Sequence, residues 1–304
     1  MATSHVPVLA EEVVHWLACR PGGRYLDCTV GYGGHAARIL ELSAPDGILV
    51  GVDRDQEALR SARERLAPFG ERARLVHGNF RELAAHLRSA GVPEVDGVIF
   101  DLGVSSVQLD RPERGFSFQA DGPLDMRMDQ AGGPTAAQLI RDLSEPELAD
   151  LIYQYGEERY ARRIARAIVR ARAVRPIETT LQLASVIRGA VPPVYRHGRL
   201  HCATRTFQAL RIAVNRELDV LEEAIRGAAA ALAPGGRLCV ISFHSLEDRI
   251  AKQTFRALSH GPEARLSVLT KKPVTPSDSE CRDNPRARSA KLRVVERPPM
   301  GRSE

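Results

Sequence analysis

The 304-residue chain predicts an α/β fold: an open, mostly parallel, Rossmann-like sheet interrupted by an all-helical insertion. Three observations point to it. Short apolar runs alternate with helical patterns from residue 24 to residue 101. The stretch 113–208 then carries only loop and helix signals. After Pro234-Gly235-Gly236 an apolar strand resumes the first pattern.

Residues 8–18 place Val8, Leu9, Val13, Val14, Trp16 and Leu17 at helical spacing. Arg24–Cys28 reads as a strand, Gly34–Leu42 as the helix after a glycine loop, and Ile48–Val52 as a second strand ending at Asp53. Gln56–Leu66 reads as a helix, Arg74–His77 as a third strand before Gly78-Asn79-Phe80, and Arg81–Ser89 as a helix. Val95–Phe100 is an apolar run, as expected of a strand buried on both faces, and ends at Asp101. Residues 102–134, rich in Gly, Pro, Asp and Ser, read as a long ordered loop, and loops of that length are usually functional or disordered. Helical patterns follow at 136–142, 145–155, 158–173, 179–190 and 203–232, then strands at Arg237–Phe243 and Leu292–Glu296. Residues 271–290 are polar and Pro-rich and read as a loop. The domains are therefore expected at 1–112 plus 209–304, a discontinuous α/β domain, and at 113–208, an inserted helical domain.

Hydrophobic residues make up 43% of the chain, enough for a sizeable core. The 43 Lys and Arg against 38 Asp and Glu leave +5, a mild excess that suits an anionic partner, and arginine concentrates in the second half. The five cysteines, at 19, 28, 202, 239 and 281, have no C-x-x-C spacing and suggest a reducing compartment without a disulfide framework. Met1 to Glu12 shows no signal-peptide core, and no run approaches the ~18 apolar residues of a membrane span. A cytoplasmic enzyme with no membrane association fits, and a homodimer is compatible with the sequence.

Asp27-Cys28-Thr29-Val30-Gly31-Tyr32-Gly33-Gly34-His35 runs from strand through glycine loop into helix. Glycines there let backbone approach a ligand, and the helix N-terminus favours an anionic group. Asp53, at the end of the next strand, is placed to accept both hydroxyls of a ribose. A nucleoside cofactor follows. Gly31-x-Gly33-x-x-Ala36 satisfies the permissive dinucleotide fingerprint, so NAD stays open. Three features favour S-adenosyl-L-methionine: Gly33-Gly34 leave backbone bare for its amino-acid tail, Phe80 offers an aromatic face to adenine, and Asp101 ends the fourth strand beside the reacting centre. The sheet is then that of a class I methyltransferase, with the helical insertion as its substrate domain.

Asp101-Leu102-Gly103-Val104-Ser105-Ser106-x-Gln108-Leu109-Asp110 is more specific. So are Arg114-Gly115-Phe116-Ser117-Phe118, Gly122-Pro123-Leu124-Asp125-Met126-Arg127-Met128, Tyr155-Gly156-Glu157-Glu158-Arg159, Ala203-Thr204-Arg205-Thr206-Phe207-Gln208, Ser242-Phe243-His244-Ser245-Leu246-Glu247 and Asn284-Pro285-Arg286-Ala287-Arg288-Ser289. With these motifs in this order over nearly its whole length, the chain resembles the bacterial 16S ribosomal RNA small-subunit methyltransferase H family, also called MraW. The sequence departs from the family pattern at Val107, where proline is common and the change should matter little, and at about 259–283, a stretch shorter than in some relatives. The resemblance implies methylation of a cytidine N4 in the decoding region of 16S rRNA within the small ribosomal subunit. It implies S-adenosyl-L-methionine contacts at Gly33, Gly34, His35, Asp53, Phe80, Asp101 and Gln108.

Amino methylation needs nitrogen and methyl held in line, and no metal. Asp101 is a catalytic candidate that either accepts from the substrate amine or holds the cofactor's amino group. Ser105 and Ser106 either orient the base or bond their own turn, and His35 contributes either its side chain or its backbone N–H. Arg114, Phe116, Phe118 and Arg127 in the long loop are candidates for holding a splayed-out base, with Arg163 and Arg166 on a basic helix face for phosphates. His197-x-x-x-His201-Cys202 lacks a fourth metal ligand, and His244 lacks the G-x-S-x-G context of a nucleophile elbow. A DNA amino-methyltransferase is disfavoured because Pro192-Pro193 and Pro298-Pro299 follow Val191 and Arg297. A non-catalytic RNA-binding or assembly factor has no need of the glycine loop and Asp53.

Overall fold

A computed structural model describes residues 7–198, 200–260 and 264–299. Seven strands form one sheet: β1 (Arg24–Asp27), β2 (Ile48–Asp53), β3 (Ala73–His77), β4 (Val95–Asp101), β5 (Leu232–Ser242), β6 (Ser267–Val268) and β7 (Lys291–Glu296). They lie in the order β3-β2-β1-β4-β5-β7-β6. β1 to β5 run parallel to one another, while β7 runs antiparallel to β5 and to β6. This is the class I methyltransferase sheet. The chain turns outward to β2 and β3 on one side of β1 and to β4 and β5 on the other, so a topological switch lies between β1 and β4.

Alternation sorts the strand side chains onto two faces. Leu26, Val50, Val52, Val98 and Phe100 pack in one core with Leu83, Leu87, Leu221, Ile225 and Phe255. Tyr25, Leu49, Ile99, Cys239 and Ile241 pack in the other with Val13, Leu17, Ile39, Leu40 and Leu59. Helices thus cover both faces, which is why the strands read as continuous apolar runs.

Two compact units emerge. One runs to Gly103 and resumes at Leu218, and the other is Val104–Glu217. The second has its own core, with Ile140, Leu148, Ile152, Ile164, Ile168, Leu183, Ile187 and Leu210 from five helices. Three of those helices start with capping boxes: Thr135 with Gln138, Ser144 with Glu147, and Thr179 with Gln182.

Several boundaries differ from the sequence expectation. The pattern at 203–232 is two helices, Thr204–Asn215 and Leu221–Ala231, broken at Arg216 (φ 50°, left-handed). Apolar spacing continues through Leu218, Val220 and Leu221, so periodicity misses the turn. Arg216 N–H closes on Ala213 O and Glu217 N–H on Ile212 O. The inserted unit, expected at 113–208, spans Val104–Glu217 in the structure. β5 begins earlier than expected, at Leu232, because its register jumps from Leu232 to Arg237 and the Pro-Gly-Gly turn loops out of the ladder. Residues 271–290, expected as a loop, contain the helix Asp278–Asp283, capped by Ser277, and a 3-10 turn at Pro285–Ser289. The expected 102–134 loop holds the helix Ser106–Asp110, and its later part is packed, with Leu124, Met126 and Met128 buried.

That packed segment is clamped by Asn215 at a helix end. Its Oδ1 accepts from Met128 N at 2.8 Å, and its Nδ2 donates to Met126 O at 2.7 Å. Asn215→Ala removes these two bonds from the core. We expect it to cost about 1–3 kcal/mol, read as a lower urea midpoint of the unit Val104–Glu217.

Candidate cofactor site

Three carboxylates end three adjacent strands: Asp27 on β1, Asp53 on β2 and Asp101 on β4. They meet the glycine loop at the sheet's carboxyl edge, beside the switch point. Asp53 Oδ2 accepts from Gly31 N at 2.8 Å, and its Oδ1 from Asp55 N at 2.9 Å. A carboxylate offers about four lone-pair positions, so two remain. Burial pushes the Asp53 carboxyl above its ordinary value, against the Asp55 and Gly31 N–H bonds. Thr29 Oγ1 accepts from Asp101 N at 2.6 Å and ties the loop to β4.

The loop enters the helix Gly34–Leu42 through Gly33, which is left-handed (φ 77°) and caps without a side-chain bond. The first N–H groups of that helix therefore carry no side-chain acceptor at their cap, and the dipole favours an anion there. The glycines serve different ends. Gly31, also at positive φ (51°), would bring a side chain no nearer than 3.7 Å to another group. A Cβ on Gly34 would meet Pro7 at 3.1 Å. Gly34 thus admits the chain's own Pro7, where the sequence suggested space for a cofactor tail.

His35 sits in the first turn and is 5% exposed. Neither ring nitrogen has a hydrogen-bond partner among the described residues, nor has the buried Asp101 Oδ1. Nε2 lies 3.6 Å from Asp101 Oδ2. Buried polar atoms are rarely left unpaired, so these mark a place for a polar ligand group. Asp27 was passed over as a site residue in the sequence. It is buried, its Oδ1 accepts from Thr29 N at 3.1 Å, and its pKa is raised to about 7. Burial is the main cause, opposed by His35 and the Thr29 N–H and reinforced by Asp101 and Asp53. An acid directly before the glycine loop was the available signal. Phe80, in a 3-10 turn after β3, is half-buried with its ring edge-on to Phe100 at 5.7 Å.

The remaining expected residues lie in Val104–Glu217, and several have structural roles instead. Ser105 and Gln108 form a capping box: Ser105 Oγ accepts from Gln108 N, and Gln108 Oε1 accepts from Ser105 N at 2.9 Å. Gln108 thus turns its carbonyl onto its own turn, where a cofactor contact was expected, and Ser106 opens the helix half-buried. Arg114 is 2% exposed and donates to the carbonyls of Arg127 and Met128. Phe116 is a core residue. Neither is free to grip a base: the loop turns them inward to satisfy its own carbonyls and fill its own core. Arg127 forms a two-point pair with Asp125, at 2.8 Å on each side. Phe118 stacks on His201 at 4.6 Å and meets Phe207 edge-on. His201 Nδ1 is taken by Ala203 N. His244 caps the helix Ser245–Ser259, with Nε2 3.1 Å from Glu247 Oε1. On the helix Ala161–Val174, Arg163 and Arg166 are exposed, and Arg166 pairs with Glu145 at 3.2 Å.

A family model described as the MraW methylase family matches residues 2–298. The chain belongs to the MraW methylase family. A relative from Pelobacter propionicus is 55% identical, over 96% of this chain and 98% of its own length. One from Geobacter sulfurreducens is 55% identical, over 98% and 100%. One from Symbiobacterium thermophilum is 53% identical, over 97% of each. All three are named ribosomal RNA small subunit methyltransferase H. In this MraW family chain, His35 after the glycine loop and the strand-end Asp101 carry buried polar atoms without a hydrogen-bond partner among the described residues.

Because the folded pKa of Asp27 lies above its unfolded value, ionising it opposes folding. Its favourable contribution is complete below the unfolded pKa near 3.8 and is lost as pH rises through about 7. Asp27→Asn removes that loss. Its stability relative to the wild type should rise between pH 5 and pH 8, as read by urea denaturation at both values. A pH-independent difference would show that Asp27 does not titrate in this range.

Proposed function

We propose that this chain transfers a methyl group from S-adenosyl-L-methionine to N4 of a cytidine in the decoding region of 16S rRNA. The observation that carries the cofactor reading is the His35–Asp101 pair, with buried unpaired atoms at the switch point beside a bare helix N-terminus. The names of the full-length relatives support the substrate. When bound, the cofactor supplies an electrophilic methyl group.

The chain's own residues do the rest. Asp53 uses its two remaining lone-pair positions for the ribose hydroxyls. Gly33 N–H is taken by Val30 O, so the N–H groups of Gly34 and His35 at the helix start face the cofactor's carboxylate, and Asp101 Oδ1 accepts from its amino group. His35 fills the gap beside that amino group with an imidazole nitrogen, so here the side chain contributes as well as the backbone. Phe80 lays its free ring surface on adenine. Enclosing these groups at the edge of a packed sheet excludes water and fixes the reacting partners in one geometry, where most of the acceleration for a weakly nucleophilic amine arises. The helical unit serves as the RNA-recognition part, and the chain acts in the cytoplasm on the small ribosomal subunit.

Labelled S-adenosyl-L-methionine, supplied with small subunits from a strain lacking this enzyme, should label 16S rRNA at one cytidine. Naked rRNA and DNA run in parallel identify the preferred substrate. Label only on DNA, or on nothing, would overturn the function. Asp53→Ala should weaken cofactor binding by about 1–3 kcal/mol in calorimetry, and unchanged affinity would remove Asp53 from the site.

A further inference from the structure

The Tyr155-Gly156-Glu157-Glu158-Arg159 motif takes no part in the cofactor site, yet it builds a defined surface feature. Glu157 is left-handed (φ 48°) and ends the preceding helix. Glu158 is fully buried, and its two carboxylate oxygens hold two separate chain segments. Oε1 accepts from Tyr160 N at 2.8 Å, and Oε2 accepts from Tyr195 OH at 2.6 Å. The two tyrosine rings meet edge-on with centroids 4.9 Å apart. The exposed Arg159 guanidinium lies 4.8 Å from the centroid of each ring. Arg163, exposed one turn on, lies 6.0 Å from the Tyr160 centroid, and Arg170 is exposed further along the same helix.

None of Arg159, Arg163 and Arg170 forms an ion pair with a carboxylate among the described residues, whereas Arg166 on the same helix does. Here a buried acid orders two aromatic rings, and the rings order a guanidinium that faces solvent. A planar cation ordered in advance loses little side-chain freedom when a flat partner stacks on it. Unpaired bases are such partners, and arginine planes and aromatic rings are the surfaces on which single-stranded RNA is read.

We infer that Arg159, ordered by Tyr160 and Tyr195, is a stacking platform for an unpaired base of single-stranded RNA, with Arg163 and Arg170 meeting the flanking phosphates. The inference rests on the RNA-substrate reading and names where on the helical unit the RNA lies. Glu158 is a positioning residue that holds the two rings.

The test measures RNA binding directly, apart from methyl transfer. Fluorescence anisotropy with the full chain and a labelled single-stranded oligoribonucleotide of about ten nucleotides compares wild type, Arg159→Ala and Arg159→Lys, with an RNA duplex as competitor. Arg159→Ala should weaken binding about tenfold, within the range of one lost base stack. Arg159→Lys keeps the charge and loses the plane, so it should weaken binding nearly as much with the salt dependence unchanged. Unaltered S-adenosyl-L-methionine affinity and melting temperature check that both variants fold. Wild-type affinity in Arg159→Ala overturns the platform, and wild-type affinity in Arg159→Lys reduces it to a charge contact and overturns the stacking. A wild-type chain that binds no single-stranded RNA overturns it whatever the methyl-transfer assay reports. A chain that binds RNA through Arg159 but methylates none keeps the platform and loses the proposed function.

Discussion

Three carboxylates crowd the ends of β1, β2 and β4, and the glycine loop exists in its observed form because it must neutralise them. Charges brought together at the edge of a dry sheet repel and lose hydration, and backbone N–H groups are the compensation at hand. Gly31 N–H goes to Asp53, and Thr29 N–H to Asp27. The Asp101 backbone N–H is held by the Thr29 hydroxyl. The loop is pinned to all three strands at once. Only then can Gly33 release the chain into a helix whose first turn faces outward.

The same compensation is incomplete at one point. His35 is buried and Asp101 half-buried beside it, yet both ring nitrogens and Asp101 Oδ1 have no hydrogen-bond partner among the described residues. A fold tolerates that deficit when a ligand supplies the missing partners for part of its working life. The helical unit handles its buried charges differently. Arg114, Glu158 and the Arg211–Glu217 pair find partners within the unit, in carbonyls, a tyrosine hydroxyl or each other. Those residues stabilise the frame, and the groups left for partners lie outside it.

The parallel sheet was legible because strands buried on both faces leave apolar runs such as Val95–Phe100, each ending at a turn or an acid. The placement of Asp53 at a strand end beside the glycine loop was legible because that pattern is local. The 102–134 segment was misread because an arginine or phenylalanine in a polar loop looks the same whether it faces solvent or core. The direction depends on distant partners, as Arg114 depends on the carbonyls of Arg127 and Met128. β6 has only two residues, too few for alternation to show. The break at Arg216 is invisible to periodicity because apolar spacing runs straight across it. The Glu158–Tyr195 bond joins residues far apart in sequence, so no local pattern announces it.

The pairing of Val95 with Leu232 and of Asp101 with Ile241 has a consequence for biosynthesis. β4 leaves the ribosome long before β5, because the entire unit Val104–Glu217 is translated between them. At ordinary elongation rates the delay is on the order of ten seconds. Throughout it, the nascent sheet ends in a strand with its hydrogen-bonding edge open and its side chains suited to burial on both faces. The protein's exposure to aggregation is therefore concentrated in that interval, before the last of its main parallel strands is made.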